Sequence, residues 1–233
     1  MSDLRSLPRV FVPGADPSGS ILLPSEELHK LRKVLRLADG AELAILPDDG
    51  SVIRARLDDR SALPFEVTFP ATEATVELTI AQALPKADKL DEIIRACTEI
   101  GAARFVLFPA HRSVVQWDAK KTADRIARLA TIAREACEVA FRTRVPTFEV
   151  ARDLAEVLVR FPEAQVLSEV AGVPTPLPRP RAQETIVVGP EGGWDQREVQ
   201  LIGSRAVTLG PRVLRVDHAA PAAAAILLLD HAF

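Results

Sequence analysis

Two short stretches near the end of the chain hold residue types and spacings that can do chemistry. The first is Gly189-Pro190-Glu191-Gly192-Gly193-Trp194, entered from the apolar pair Val187-Val188 and followed by Asp195-Gln196-Arg197-Glu198. Three glycines in five positions let the backbone approach a bound molecule closely and take positive φ without steric cost. Asp195, with Glu198 three residues on, forms a capping box, so the order reads strand, glycine turn, helix. A polar turn at the carboxyl end of a strand is where open α/β sheets bind ligands. Taken alone, the segment is equally compatible with an ordinary strand-to-helix turn. The second stretch, Ala206 to Ala220, reads as a further strand and a Gly210-Pro211 turn. A basic and acidic loop with Arg212, Arg215, Asp217 and His218 follows, and then an Ala/Leu helix.

The ligand such a turn would take is narrowed by what is missing. A nucleotide-phosphate loop places Lys and Ser/Thr after its last glycine, and no Lys follows here. A dinucleotide fingerprint opens the first βαβ unit, whereas this turn lies near the C-terminus. S-adenosylmethionine fits better, because its adenine and sulfonium ask for apolar walls and backbone hydrogen bonds. Leu167, Val188, Leu209, Val213 and Leu214 can supply walls, and Gly189, Gly193 and Gly210 can expose backbone donors and acceptors.

The elements that would position these residues fall into two patterns. Residues 1–70 read as mostly strand with one short helix. Val10-Phe11-Val12 and Ile21-Leu22-Leu23 are short apolar runs, Leu43–Leu46 and Val52–Leu57 flank the hairpin signal Asp48-Asp49-Gly50, and Phe65, Val67 and Phe69 alternate with polar residues. Ser25 is expected to cap a helix with Glu26 and Glu27 in its first turn and Leu28, Leu31 and Leu35 as its apolar stripe. A small β-barrel with one helix follows from this. From Val76 the pattern alternates strand and helix: strands at 76–84, 105–108, 165–168, 185–188 and 206–209, and helices at 90–100, 119–141, 154–159, around 199–202 and at 220–229. Alternation of this kind argues for a parallel sheet covered on both faces. The loop from Val173 to Arg181, with four prolines, is expected to be irregular, and the domain boundary is expected near Pro70 to Thr75.

Bulk composition limits the class. With 233 residues, 48% hydrophobic and 26% charged, the chain fits one large or two small globular domains. No apolar run approaches the ~20 residues of a membrane span, and the N-terminus lacks the apolar segment of a secretion signal. Cys97 and Cys137 are isolated within helical patterns, as expected of core residues in a reducing, cytoplasmic compartment and not of a disulfide or metal pair. A net charge of −3 argues weakly against nucleic acid, but of 29 basic residues only 6 are Lys, and Arg suits bidentate phosphate contacts. His29 to Arg36 holds Lys30, Arg32, Lys33 and Arg36 besides the His, and a second basic stretch runs from Lys120 to Arg144. The competing reading of both is a solvated helix face, favoured for the second.

The two signature segments together resemble the C-terminal signature of the RsmE family, bacterial 16S rRNA (uracil-N3) methyltransferases of the SPOUT class. That signature is Gly-Pro-Glu-Gly-Gly and, further on, Leu-Gly-x-Arg-Ile-Leu-Arg-Thr-Glu-Thr-Ala. Further matches are His29 with Val34-Leu35-Arg36, Lys86-Ala87-Asp88-Lys89, Thr98-Glu99-Ile100-Gly101, Arg112-Ser113, and Glu135-Ala136-Cys137-Glu138 with Arg142 and Pro146, so the resemblance covers nearly the whole chain. It implies a PUA-like β-barrel for RNA docking at 1–72, then a SPOUT methyltransferase domain at 73–233. Its parallel sheet would carry a C-terminal trefoil knot forming the cofactor pocket.

Carried over position by position, S-adenosylmethionine would be held by Leu167, Val188, Gly189, Pro190, Glu191, Gly192, Gly193, Leu209, Gly210, Val213, Leu214 and Ala219. RNA would be contacted by His29, Arg32, Arg36, Lys86, Lys89, Arg112, Arg142 and Arg144. Arg215 would stabilise the uracil anion that develops as N3 loses its proton, or else contact phosphate or pair with Asp217; Asp217 or His218 would accept that proton. The resemblance implies a cytoplasmic homodimer acting on the small ribosomal subunit, with no metal and no membrane. The chain departs from the family where Thr-Glu-Thr becomes Val216-Asp217-His218 and where Gln becomes Val139. These departures keep open a non-catalytic RNA-binding or assembly protein on the same fold, or methylation of another RNA nucleotide. Glu138 and Arg142, four residues apart, are expected to share a helix face.

Overall fold

The structure is a computed structural model describing residues 4–86, 89–115, 117–168 and 175–229. The chain divides into two compact units: unit 1 is 1–73 with 137–145, and unit 2 is 74–136 with 146–233.

Unit 1 is built on a five-stranded sheet of β1 (Arg9–Phe11), β2 (Ile21–Leu22), β3 (Glu42–Leu46), β4 (Val52–Asp58) and β5 (Ser61–Thr68), in the order β1-β3-β4-β5-β2. β1 and β3 run parallel and the other pairs antiparallel. The expected hairpin is present: β3 and β4 pair around Asp48 and Gly50, both at positive φ. One sheet face carries Val10, Ile21, Leu43, Ile45, Ile53, Ala55 and Leu57, packed with Leu31 and Leu23. Leu7, Phe11, Ala44, Leu46 and Val52 pack instead with Cys137 and Phe141.

Two expectations for this unit are corrected. Ser25 does not cap its helix: α1 (Ser25–His29) has Pro24 at the N-cap with no side-chain cap, and it runs on as a π-helical turn over Lys30–Val34. Leu31 is buried, but Leu35 is exposed, because the wider turn rotates it off the apolar stripe. The strand expected at Phe65 and Val67 is present as β5, with a register shift opposite Arg54/Ala55; both side chains are substantially exposed, and Phe69 lies just beyond the strand. The Arg54 and Arg56 guanidiniums lie 5.1 and 4.9 Å from the Phe65 ring centre.

Unit 2 is a seven-stranded sheet in which every pair is parallel. Its strands are β6 (Glu77–Ala83), β7 (Arg104–Phe108), β8 (Thr147–Val150), β9 (Gln165–Leu167), β10 (Thr175–Pro176), β11 (Gln183–Val188) and β12 (Ala206–Thr208), ordered β10-β12-β9-β11-β6-β7-β8. The helices are α2 (Lys89–Ile100), α3 (Ala119–Ala140), α4 (Leu154–Arg160), α5 (Gln196–Ile202) and α6 (Val216–Leu228). As expected, α2 buries Leu90, Ile93, Ile94 and Cys97 and stops at Gly101, whose φ of 125° suits glycine alone. Asp153 caps α4, and the Asp195–Glu198 capping box of α5 is complete. The central strands are buried on both faces, as parallel strands under helices must be.

Here too the sequence reading is amended. β8 was missed because it is a short edge strand with little burial, although Phe148 stacks on Phe105 with ring centres 5.3 Å apart. The proline-rich stretch contains β10, whose Pro176 is tolerated because the strand is an edge; Val173 and Pro174 lie outside the described residues, as do Ala87 and Asp88. The last helix begins at Val216, so Asp217 and His218 belong to its first turn and not to a loop.

The segment closing unit 1 has a structural role. α3 ends at Ala140 because Phe141 takes a φ of 59°, so Arg142 lies beyond the helix. Its guanidinium, 4% exposed, donates from Nε and Nη2 to Glu73 Oε2 at 3.0 and 2.8 Å, and Glu73 Oε1 accepts from the Thr143 and Arg144 N–H groups at 2.7 and 3.2 Å. Glu138, expected to share a helix face with Arg142, instead carries the Lys30 ammonium. Glu73→Ala removes these partners from a buried guanidinium and is expected to cost about 2 kcal/mol. Urea unfolding of the variant beside wild type checks this.

Candidate functional site

Because the strands of unit 2 are parallel, their carboxyl ends lie on one side, and the loops leaving them converge there. A cavity of about 350 Å³ is lined by Arg112, by Leu167 and Ser168, by Val188 to Glu191 with Gly193 and Trp194, by Val207 to Leu209, by Arg212 to Leu214, and by Val216 and Ala219. These positions follow β7, β9, β11 and β12 and open α6. The two signature segments are therefore opposite walls of one cavity, brought together because β9 separates β11 from β12 in the sheet.

The glycine turn is held on every side. Gly193 sits at φ 67°, and its N–H donates to Pro190 O at 2.9 Å. A Cβ on Gly189 would lie 3.0 and 3.1 Å from the Trp194 indole, so any side chain there must move the indole by a few tenths of an ångström. The indole Nε1–H donates to Leu167 O at 2.9 Å, and the ring lies parallel to Phe108. Glu191 Oε1 accepts from the Lys86 backbone N–H at 3.0 Å and meets the Lys89 ammonium at 3.2 Å. Arg112 donates from Nη1 to Gly192 O at 2.9 Å. Beyond the turn, the capping carboxylate of Glu198 also accepts from the His111 N–H at 2.9 Å, and His111 Nδ1 lies 3.2 Å from Asp195.

The charged residues of the second segment sit at the rim. Arg215 is the N-cap of α6, and its Nε–H donates to Asp217 Oδ1 at 3.3 Å. The same Asp217 oxygen is 3.8 Å from the Lys89 ammonium, and Asp217 Oδ2 is 3.9 Å from His218 Nε2. Burial pushes the Asp217 carboxyl up, but its own backbone N–H, Arg215 and Lys89 outweigh that and hold it below the usual value. Glu191 is likewise lowered: burial acts against ionisation and is outweighed by backbone N–H groups and Lys89. Cys97 and Cys137 are buried free thiols; desolvation lifts that of Cys137 to about 12, which makes it inert.

Of the residues singled out for the cofactor, Leu167, Val188, Gly189, Pro190, Glu191, Gly193, Leu209, Val213, Leu214 and Ala219 line the cavity. Gly192 and Gly210 are exposed parts of the same turns and are not among its walls. The sequence reading missed Ser168, Trp194, Val207, Thr208, Arg212 and Val216, all within two residues of ones it named. Among the residues singled out for RNA, His29, Arg36, Lys86, Arg112 and Arg144 are exposed. Arg112 and Arg144, with the remaining three, are also engaged within the chain. Arg32 binds Leu37 O, Asp59 O and Asp39; Arg144 reaches Asp49 O; Arg142 is buried on Glu73; Arg112 is a cavity wall; Lys89 lies between two carboxylates.

Comparison with known proteins places this geometry. Residues 72–228 match the family model described as an RNA methyltransferase domain. A Bacillus subtilis protein named ribosomal RNA small subunit methyltransferase E is 33% identical over 84% of this chain and 85% of its own length. A Synechocystis protein of the same name is 31% identical over 88% of this chain and 72% of its own. The crystal structure of ribosomal RNA small subunit methyltransferase E from Neisseria gonorrhoeae bound to S-adenosyl methionine matches with a TM-score of 0.83 at 26% identity, over 94% of this chain and 95% of that one.

Gly189→Ala forces the indole of Trp194 aside. The expected outcome is a changed near-UV circular dichroism and tryptophan emission, with a stability loss of about 1–2 kcal/mol measured by urea unfolding. Unchanged spectra would show that the indole does not depend on this glycine.

Proposed function

Because the chain belongs to the ribosomal RNA small subunit methyltransferase E family, we propose that it methylates N3 of one uridine in the 16S rRNA of the small ribosomal subunit, using S-adenosylmethionine. The observation that carries this reading is the cavity made by the two signature segments, with the Arg215–Asp217 pair at its rim. Its walls fit the cofactor. Leu167, Val188, Leu209, Val213 and Leu214 offer apolar surface for an adenine. Arg112, Arg212 and Glu191 offer both charge signs for the carboxylate and ammonium of the methionine end. S-adenosylmethionine, when bound, supplies an electrophilic methyl group whose bond to sulfur breaks as the bond to N3 forms.

The protein's part is to make N3 a nucleophile. Uracil N3 carries a proton, and a guanidinium beside O2 or O4 stabilises the anion that develops as the proton leaves; this is the role of Arg215. Asp217 holds that guanidinium in place through its 3.3 Å contact. The proton must leave N3 before or as the N–C bond forms, and Asp217 can accept it and pass it to solvent. His218, 3.9 Å from Asp217 and exposed, is the weaker acceptor. A paired uracil presents no free N3, so the target must be unpaired or turned out of its helix.

We read the five-stranded sheet and helix of residues 1–72 as a PUA-like, RNA-docking barrel domain and residues 73–233 as the SPOUT domain; the family match beginning at residue 72 supports that division. The order β12-β9-β11, with α6 returning against α2, β6 and β11, supports a trefoil knot in this region. The apolar residues of α6 with Ile226 and Leu229 exposed support a homodimer built on it, in the cytoplasm. His29, Arg36 and Lys86 remain as RNA contacts.

The test is labelled methyl transfer to small subunits that lack the modification, beside naked rRNA and tRNA, with the product nucleoside identified by mass spectrometry. N3-methyluridine at one small-subunit site is expected; no incorporation by the folded protein would identify a binding protein. In the same assay Arg215→Ala is expected to lose about 100-fold in turnover with unchanged S-adenosylhomocysteine affinity. Full activity would remove Arg215 from its role.

A further inference from the structure

The ammonium of Lys89 stands where three charged groups meet. Lys89 opens α2, and its side chain is 27% exposed. It lies 3.2 Å from Glu191 Oε1, on the glycine turn, and 3.8 Å from Asp217 Oδ1, in the first turn of α6. Those two carboxylates come from segments 26 residues apart in sequence, one on the glycine turn and one in the first turn of α6, yet one ammonium reaches both. Asp217 is 9% exposed, so a second carboxylate nearby is costly unless a cation lies between. Arg215 occupies the same Asp217 oxygen from the other side.

We infer that Lys89 is a positioning residue of the methyl-transfer site, tying the cofactor turn through Glu191 to the Arg215–Asp217 pair at the substrate rim. This deepens the function proposed above and rests on it. It also reassigns Lys89, which the family pattern had suggested for RNA. An ammonium engaged by two partly buried carboxylates has little left to offer a phosphate. Its effect on the reaction passes through Asp217: with Lys89 in place, Asp217 remains an anion and presents Arg215. Without it, Asp217 is faced by Arg215 and His218 from its own turn and by Glu191, and no cation offsets Glu191. The two carboxylates then repel each other with nothing between them, and the glycine turn and the Arg215–Asp217 pair are no longer tied together, so loss of Lys89 lowers turnover.

The experiment compares wild type, Lys89→Met and Lys89→Arg. Methionine keeps the length and removes the charge; arginine restores it. Methyl transfer to small subunits is measured from about pH 5.5 to 9, with kcat and the KM for subunits taken separately. For Lys89→Met kcat is expected to fall about tenfold across this range, in which Asp217 stays ionised with or without Lys89, with KM changed less than about twofold. Lys89→Arg is expected to recover most of the loss. A rise in KM with kcat unchanged would make Lys89 an RNA contact and overturn the inference, as would wild-type kinetics. Side-chain carboxylate titrations of Asp217 and Glu191 by NMR need no turnover: the Lys89→Met titrations should move upward, and unmoved titrations overturn the inference even if wild type transfers no methyl group. An inactive wild type alone would instead sink the proposed function. Thermal unfolding confirms that each variant is folded.

Discussion

The carboxylate of Glu191 is the point on which the site depends. A glycine turn is permissive by nature, and three glycines in five residues leave Gly189–Gly193 with only the side chains of Pro190 and Glu191 to hold it. It is fixed from outside. Lys86 and Lys89 hold Glu191 from the loop and helix after β6, and Arg112 holds the Gly192 carbonyl from the loop after β7. The indole of Trp194 fills the space that Gly189 leaves and reaches Leu167 O at the end of β9. The turn is thereby tied to three neighbouring strands, and the parallel sheet sets its position. Backbone groups intended for a ligand must be placed before it arrives, since ordering them on binding would cost affinity.

The same arrangement explains why charged side chains sit at the rim of a largely apolar cavity. Arg215, Asp217 and Lys89 cluster where the chain enters α6, and the buried Val216 beside them anchors that turn to the core. A carboxylate flanked by two cations is a strong orienting group and a weak base. The shorter Asp217 at a position where the family shows Glu still reaches both cations, so the departure from the family pattern preserves the contact.

Much of this was open to reading in the residues themselves. Helix ends announced by Asp153, Asp195–Glu198 and Gly101 stand where capping chemistry puts them, and the apolar stripe of α2 is buried as its spacing demands. The cavity walls were found because apolar runs end in glycine turns. What escaped was set by tertiary partners. The edge strand β8 and the two-residue β10 have too little burial to print a pattern. Arg142 and Glu138 look alike on paper as a helix pair. Only the left-handed Phe141 and the distant Glu73 and Lys30 determine where each goes. Arg112 and Lys89 read as surface cations because their carbonyl and carboxylate partners lie 80 and about 100 or more residues away.

The central claim is that the two signature segments form one pre-built cavity for S-adenosylmethionine. A crystal structure of the protein with S-adenosylhomocysteine tests it most directly. The account predicts the ligand between Val188–Trp194 and Leu209–Val216, with its sulfur facing the Arg215 rim and the glycine turn unmoved. A ligand bound elsewhere, or a turn that must rebuild to admit it, would contradict the account.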